Sequence, residues 1–324
     1  MHDGCPGGKW TAVKFTINLP GLTRYPPIFQ NWEAELGAAD FQRMARRADQ
    51  LGFDAIQFPE HIVMPGDMAP LMNAYWPHAL TAMAFAAGAT ERIRVNSSVV
   101  VLPLHDPLHV AKQIATLDVL SSGRAMLAVG SGHTAGEFTA LGIPFAERGR
   151  RTDEALRVMK ELWTSDAPAF EGEFFRFRDV FFEPKPVQKP HPPIWIGGNS
   201  RAALRRAARY GDGWCPWLIG ADELPQHLET LRSFPEFGPA DRPFDVWAPA
   251  ATLQVDEQHR PTDDSGSGAV RVPKGKQALV DVIGRFRDAG VTWTSVPMRR
   301  VASVDEYLDV LQWTAEEVCG PFRS

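Results

Sequence analysis

The alternation of strand and helix signals along the chain predicts an α/β protein, a (β/α)8 TIM barrel. Two observations carry that reading. Short apolar runs and amphipathic stretches of helical spacing follow one another in regular turn from Val13 to Val318. The run from Val99 to Leu102 is also nearly unbroken in apolar residues, as strands buried on both faces are. A doubly wound open sheet is the alternative, because the tally of eight strands leans on the first and the seventh.

Residues 1–12 read as a flexible tail. Val13–Leu19 is the first strand, ended by Pro20-Gly21, and Asp40 opens a helix whose apolar face is Phe41, Met44, Ala45, Ala48 and Leu51. Phe53–Phe58 is the second strand, running into Pro59-Glu60-His61. After a loop through Met64-Pro65-Gly66-Asp67 comes an alanine-rich helix, His78–Ala87, and then the third strand, Arg92–Leu102. Asp106 is placed to cap the next helix, with Pro107 as its first residue. Ala125–Val129 is the fourth strand, closing on Gly130-Ser131-Gly132, and Arg148–Trp163 a strongly amphipathic helix.

Residues 164–192 break the rhythm and read as an insertion after strand four, with a turn at Phe170–Phe174 and a proline-rich end. Ile194–Ile196 is the fifth strand; Gly197-Gly198 turns the chain, and Asn199 or Ser200 can cap the helix that Gly211 stops. Gly213–Trp217 is strand six, Asp222–Arg232 a helix and Phe244–Val255 strand seven. Residues 256–275, with Asp263-Asp264-Ser265-Gly266-Ser267-Gly268, have the composition of a mobile loop. Lys276–Ala289 is a helix, Val291–Val296 strand eight and Val304–Val318 the closing helix, all in a single domain, 1–324.

Composition narrows the function. An apolar fraction of 44% and a charged fraction of 23% are those of a soluble globular protein. A net charge of -5 argues against a nucleic-acid partner, and no apolar run is long enough to span a bilayer. The three cysteines are sparse, lack metal-ligand spacing and fit a reducing cytoplasm.

A barrel of this kind builds its site at the C-terminal ends of the strands. Those ends are short of paired acids and rich in glycine, serine and aromatic side chains, which suits a large planar, phosphorylated ligand better than a metal. His61, just past strand two, is a candidate acid–base group, and Glu137, on a turn of helix seven positions after Gly130, is a second. His105, Asp106 and His109 raise a metal reading, but the capping role of Asp106 explains them without one. The Gly197–Ser200 turn, at a helix N-terminus, suits a phosphate or serves as an ordinary capped turn. Trp76, His133 and Trp217 are the candidate walls of a substrate pocket. Arg201, Arg205, Arg206 and the pair Lys274 and Lys276 could line a basic groove for an anionic tail, or serve as a solvated face.

Several stretches together resemble the luciferase-like flavin and deazaflavin oxidoreductases: Leu51–Ile56 with Pro59-Glu60-His61, Thr90–Val95, Leu117–Arg124, Gly142–Glu154, and Pro193–Ser200 with Gly211-Asp212-Gly213-Trp214. The likeness covers residues 13–217, and its nearest branch is that of the coenzyme F420-dependent oxidoreductases. The resemblance implies a small-molecule oxidoreductase, a homodimer, with a barrel-mouth cofactor: coenzyme F420, or FMN if the chain is a reduced-flavin monooxygenase. It places His61 near the cofactor ring, Ser97 and Ser98 at a strand-three end that often holds a non-proline cis peptide, Gly130 and Gly132 at the strand-four end, and Gly197, Gly198, Asn199 and Ser200 around a phosphate. Relatives frequently carry Trp after the strand-four glycines where this chain has His133, a departure that makes His133 a candidate substrate-facing donor.

Overall fold

The computed structural model describes residues 12–239, 241–250, 252–254, 269–271 and 275–323. The expected tail, apart from Ala12, lies outside the described residues, and so does most of the expected loop at 256–275. Eight parallel strands form one sheet: β1 (Lys14–Ile17), β2 (Ala55–Phe58), β3 (Arg94–Ser97), β4 (Ala125–Gly130), β5 (Ile194–Gly197), β6 (Gly213–Cys215), β7 (Asp245–Val246) and β8 (Trp293–Ser295). From β1 to β7 each pairs with its sequence neighbour, and β8 pairs with β1. The ring closes through Trp247, which bridges to Trp293, and through the bonds from Thr292 N to Val246 O and from Ala248 N to Trp293 O. The barrel, not the open sheet, is therefore the architecture.

Among the described residues the longer helices cover the outside: α1 (Ala38–Gln50), α2 (Ala79–Ala89), α3 (Pro107–Leu120), α4 (Arg148–Thr164), α5 (Arg201–Tyr210), α6 (Leu224–Ser233), α7 (Lys276–Asp288) and α8 (Val304–Trp313). Asp106 caps α3 as its position implies, accepting from Leu108 N at 2.8 Å and His109 N at 3.2 Å. Strand parity divides the core in two. Outward residues such as Ile56, Phe58, Val95, Leu127, Val129, Ile194 and Ile196 pack beneath the helices, while Ala55, Met126, Ala128, Trp195, Cys215, Trp247 and Trp293 fill the barrel.

Two strands differ from expectation. The third is interrupted: after Ser97 the peptide between Ser98 and Val99 is cis, and Val100–Val101 then pairs with Val129–Gly130. The seventh is only Asp245–Val246, and Thr252–Gln254 instead pairs antiparallel with Ala269–Arg271 in a small separate sheet. Both departures have one cause. Apolar content marks a buried segment but does not say where its backbone leaves the ladder. Within the insertion, Phe170–Glu171 and Arg176–Phe177 form an antiparallel pair, so the expected turn begins after Glu171.

Candidate active site

The C-terminal end of β2 carries two buried carboxylate–histidine pairs, one on each side. His61 lies against Glu137, with Nδ1 2.9 Å from Oε2, and the other carboxylate oxygen accepts from Ile62 N at 2.9 Å. Glu137 is brought there by a short helix after β4, Ala135–Ala140. Its side chain is almost fully buried and that of His61 nearly so. With Glu137 ionised and accepting at Nδ1, the ring presents Nε2 as its free working atom. Glu60, next in the chain, faces the other way. It pairs with His105 Nε2 at 2.7 Å and accepts from Ala79 N at 3.0 Å, tying the end of β2 to the start of α2.

Aromatic rings surround His61. Trp76 meets it edge-on with centroids 4.8 Å apart, and its indole N–H donates to Asn73 O at 2.9 Å, which fixes the ring. Tyr25 lies 6.3 Å from Trp76, and His133 6.3 Å from His61. Thus His61, Glu137, Trp76 and His133 form one cluster. Trp217 belongs elsewhere: 54% exposed, it is held through its backbone by the carboxamide of Asn199, which donates to Trp217 O at 2.6 Å and accepts from Trp217 N at 2.8 Å.

Several of the expected cofactor residues are occupied with the protein itself. The Ser97 hydroxyl is fully buried, donates to Ala128 O at 2.7 Å and accepts from Ala128 N at 2.9 Å. It stitches β3 to β4 and has no face for a ligand. Ser98 comes next, at the cis peptide, and is half-buried. Gly130 and Gly197 make room for Val99: a Cβ at Gly130 would stand 2.9 Å from Val99 Cγ2, and one at Gly197 3.2 Å from Cγ1. Gly132, at φ +81°, is closed off by Val101 and Phe138. These glycines shape the floor of the mouth around a protein side chain.

At the β5 end, Gly198 adopts φ +110° and its carbonyl accepts from Trp214 Nε1 at 2.8 Å. Ser200 caps α5 through Ala203 N at 3.2 Å. The other first-turn N–H groups, those of Arg201 and Ala202, have no intrahelical acceptor by helix geometry and suit a phosphate. The cations proposed for a tail groove are already engaged. Arg205 pairs with Glu236 at 2.6 Å, Arg206 with Asp153 at 2.5 Å and Lys276 with Glu317 at 2.5 Å. Arg201 lies over the Phe234 ring, and Lys274 is outside the described residues. Among the described residues no group of three His, Cys, Asp or Glu is placed to hold a metal ion.

The profile of luciferase-like monooxygenases matches residues 26–261. The chain belongs to that family. A reduced-FMN-dependent dimethylsulfone monooxygenase of Pseudomonas putida is 44% identical over 159 residues, which span 48% of this chain and 42% of that protein. A monooxygenase of Streptomyces bottropensis superposes with a TM-score of 0.72 at 26% identity, covering 94% of this chain and 98% of that one. The coenzyme F420-dependent tetrahydromethanopterin reductase of Methanopyrus kandleri gives a TM-score of 0.73 at 17% identity, covering 96% and 100%, a likeness of fold alone. Membership places this chain in a luciferase-like oxidoreductase and monooxygenase family of the TIM-barrel type, and both flavin-dependent and F420-dependent proteins share the barrel. No helix among the described residues is long and apolar enough to cross a membrane.

Gln57, Asn96 and Val99 lie within strand-like runs, where the sequence marks burial and nothing more. The signal that could have found the first two is a pair of amides at inward-facing positions of neighbouring strands.

Proposed function

We propose that this chain is a monooxygenase that works with reduced FMN on a small organic substrate. The observation that carries the choice of cofactor is the engagement of Arg205, Arg206 and Lys276 with carboxylates. It leaves a phosphate to be held chiefly by backbone N–H groups and the turn at Gly198–Ser200, and offers little to a longer polyanionic tail. The name borne by the Pseudomonas putida relative points the same way.

The residues fit a flavin on two counts. The helix N-terminus after β5 suits one phosphate, and buried amide atoms of Gln57 and Asn96 lack partners inside the barrel. Bound reduced FMN would supply the electrons with which dioxygen is activated and one oxygen atom is transferred. The chain's own part is positional and acid–base. Glu137 holds His61 by Nδ1, so that Nε2 can give or take a proton at the substrate. Trp76, fixed by its bond to Asn73, and Tyr25 wall the cluster and keep water from it.

Hydride transfer with coenzyme F420 is the second reading, supported by the F420-dependent proteins that share the barrel. Titration of the apoprotein with FMN and with coenzyme F420, followed by fluorescence, separates the two. FMN is expected to bind the more tightly. Tight binding of F420 with none of FMN would overturn the proposal.

A further inference from the structure

We infer that Gln57 and Asn96 form a polar floor that reads the pyrimidinedione edge of the cofactor ring, the stretch that alternates carbonyl, N–H and carbonyl. This rests on the proposed binding of a flavin-type ring in the barrel mouth. The two residues are register partners on adjacent strands. Because Ile56, Phe58 and Val95 face the helices and Ala55 faces the barrel, strand parity turns both amides inward. They are 2% and 0% exposed.

Their company inside the barrel includes Met126, Ala128, Trp195, Cys215 and Trp247. Gln57 Oε1 and both polar atoms of Asn96 have no hydrogen-bond partner. Each such group costs about 1–3 kcal/mol if left unpaired, so two neighbouring amides in an apolar barrel call for a purpose. The next inward positions along the strands are Pro59 and Ser98, and beyond them the mouth opens. At about 3.3 Å per residue, the amides lie ~7 Å beneath those two positions.

The chemistry of the unpaired atoms selects the ligand. Asn96 offers an NH2 donor group and an acceptor oxygen, and Gln57 adds an acceptor oxygen. A phosphate or a sulfone has no N–H to give to these oxygens, and a hydrocarbon gives them nothing. An acceptor–donor–acceptor ring edge supplies one N–H, which one of these oxygens can accept, and a carbonyl for the Asn96 amide to donate to. The indole N–H groups of Trp195 and Trp293 are unpaired in the same interior, donors of the kind that ring carbonyls accept. The amides are closed over in this structure, so contact requires rotation of the two side chains about their χ angles while the strands stay in place. FMN and coenzyme F420 share this edge, so the floor serves either ring; it accounts for ring binding and leaves the tail to the β5 turn.

The test compares FMN with N3-methyl FMN, which lacks the edge N–H, on the wild-type protein and on Asn96→Leu and Gln57→Met. Wild type is expected to bind N3-methyl FMN about tenfold or more weakly than FMN. Both variants are expected to bind FMN about tenfold more weakly than wild type, and Asn96→Leu to discriminate less between the two ligands. The apoprotein variants should melt no lower than wild type, since apolar groups replace unpaired amides. Should a variant fail to fold, the comparison of the two ligands on wild type still decides. Equal affinity of wild type for FMN and N3-methyl FMN, or unchanged FMN affinity in Asn96→Leu, overturns the inference alone. Wild type that binds neither FMN nor coenzyme F420 overturns the proposed function and this inference with it.

Discussion

Replacing Glu137 by glutamine keeps the shape of the side chain and changes what it shows to His61. In the wild type one oxygen accepts from Ile62 N at 2.9 Å and the other faces His61 Nδ1 at 2.9 Å. Ile62 N–H can be satisfied only by an oxygen, so the amide nitrogen of Gln must face the imidazole. Nδ1 then becomes an acceptor, and the neutral ring is driven to the tautomer with its proton on Nε2. The substitution costs about 1 kcal/mol of stability, because each hydrogen bond is replaced by another of similar geometry. Turnover is a different matter: a misplaced tautomer removes the general base, a loss of ~10²–10⁴ in kcat, while FMN affinity is retained. Glu137→Leu, by contrast, strands two buried donors at about 1–3 kcal/mol each and should lower the melting temperature. Steady-state turnover with reduced FMN, thermal melts and ¹⁵N NMR of the labelled imidazole measure the three quantities. Unchanged turnover in Glu137→Gln with the tautomer demonstrably switched would refute the acid–base role of His61.

Two further predictions concern the scaffold. Gly130→Ala puts a Cβ 2.9 Å from Val99 Cγ2, an overpacking cost of ~1–3 kcal/mol in a chemical melt; adding Val99→Ala should recover most of it, and a purely additive pair of effects would count against the packing account. Burial raises the Asp54 carboxyl above its ordinary range, opposed by the bond from Phe15 N, so the folded chain holds that proton more tightly than the unfolded one. The stability this contributes is full below the unfolded pKa and is lost as pH rises through the folded value. Asp54→Asn keeps an acceptor for Phe15 N, at 2.7 Å in the wild type, and should lose less stability than wild type as pH rises from about 4, the ordinary range of an unfolded Asp; parallel curves would contradict it.

The site was legible in part. His61 stood out because it follows a strand directly, and Glu137 because it follows the strand-four glycines; that they touch is a fact of the fold, since 76 positions separate them. The types at Ser97, Asn199 and Ser200 suggested ligand contacts, yet their side chains bond to Ala128, Trp217 and Ala203 backbone instead. A hydroxyl or carboxamide near a strand end is equally suited to either use, and only its neighbours decide. Likewise Arg205 and Arg206 read as free charge until Glu236 and Asp153 arrive from distant segments.

By itself the sequence determined the period and order of the elements, because burial on one helix face or within a strand imposes a local pattern of apolar residues. It thereby pointed to a strand–helix alternation that either a barrel or an open sheet could satisfy, and to the strand ends where chemistry could sit. Closure between Trp247 and Trp293, the turn of Val99 into the bare faces of Gly130 and Gly197, and the meeting of Gln57 with Asn96 came only with the tertiary structure. Those contacts depend on strand register and on backbone departures from the ladder, which are set by the packing of the whole barrel and leave no periodic trace along the chain.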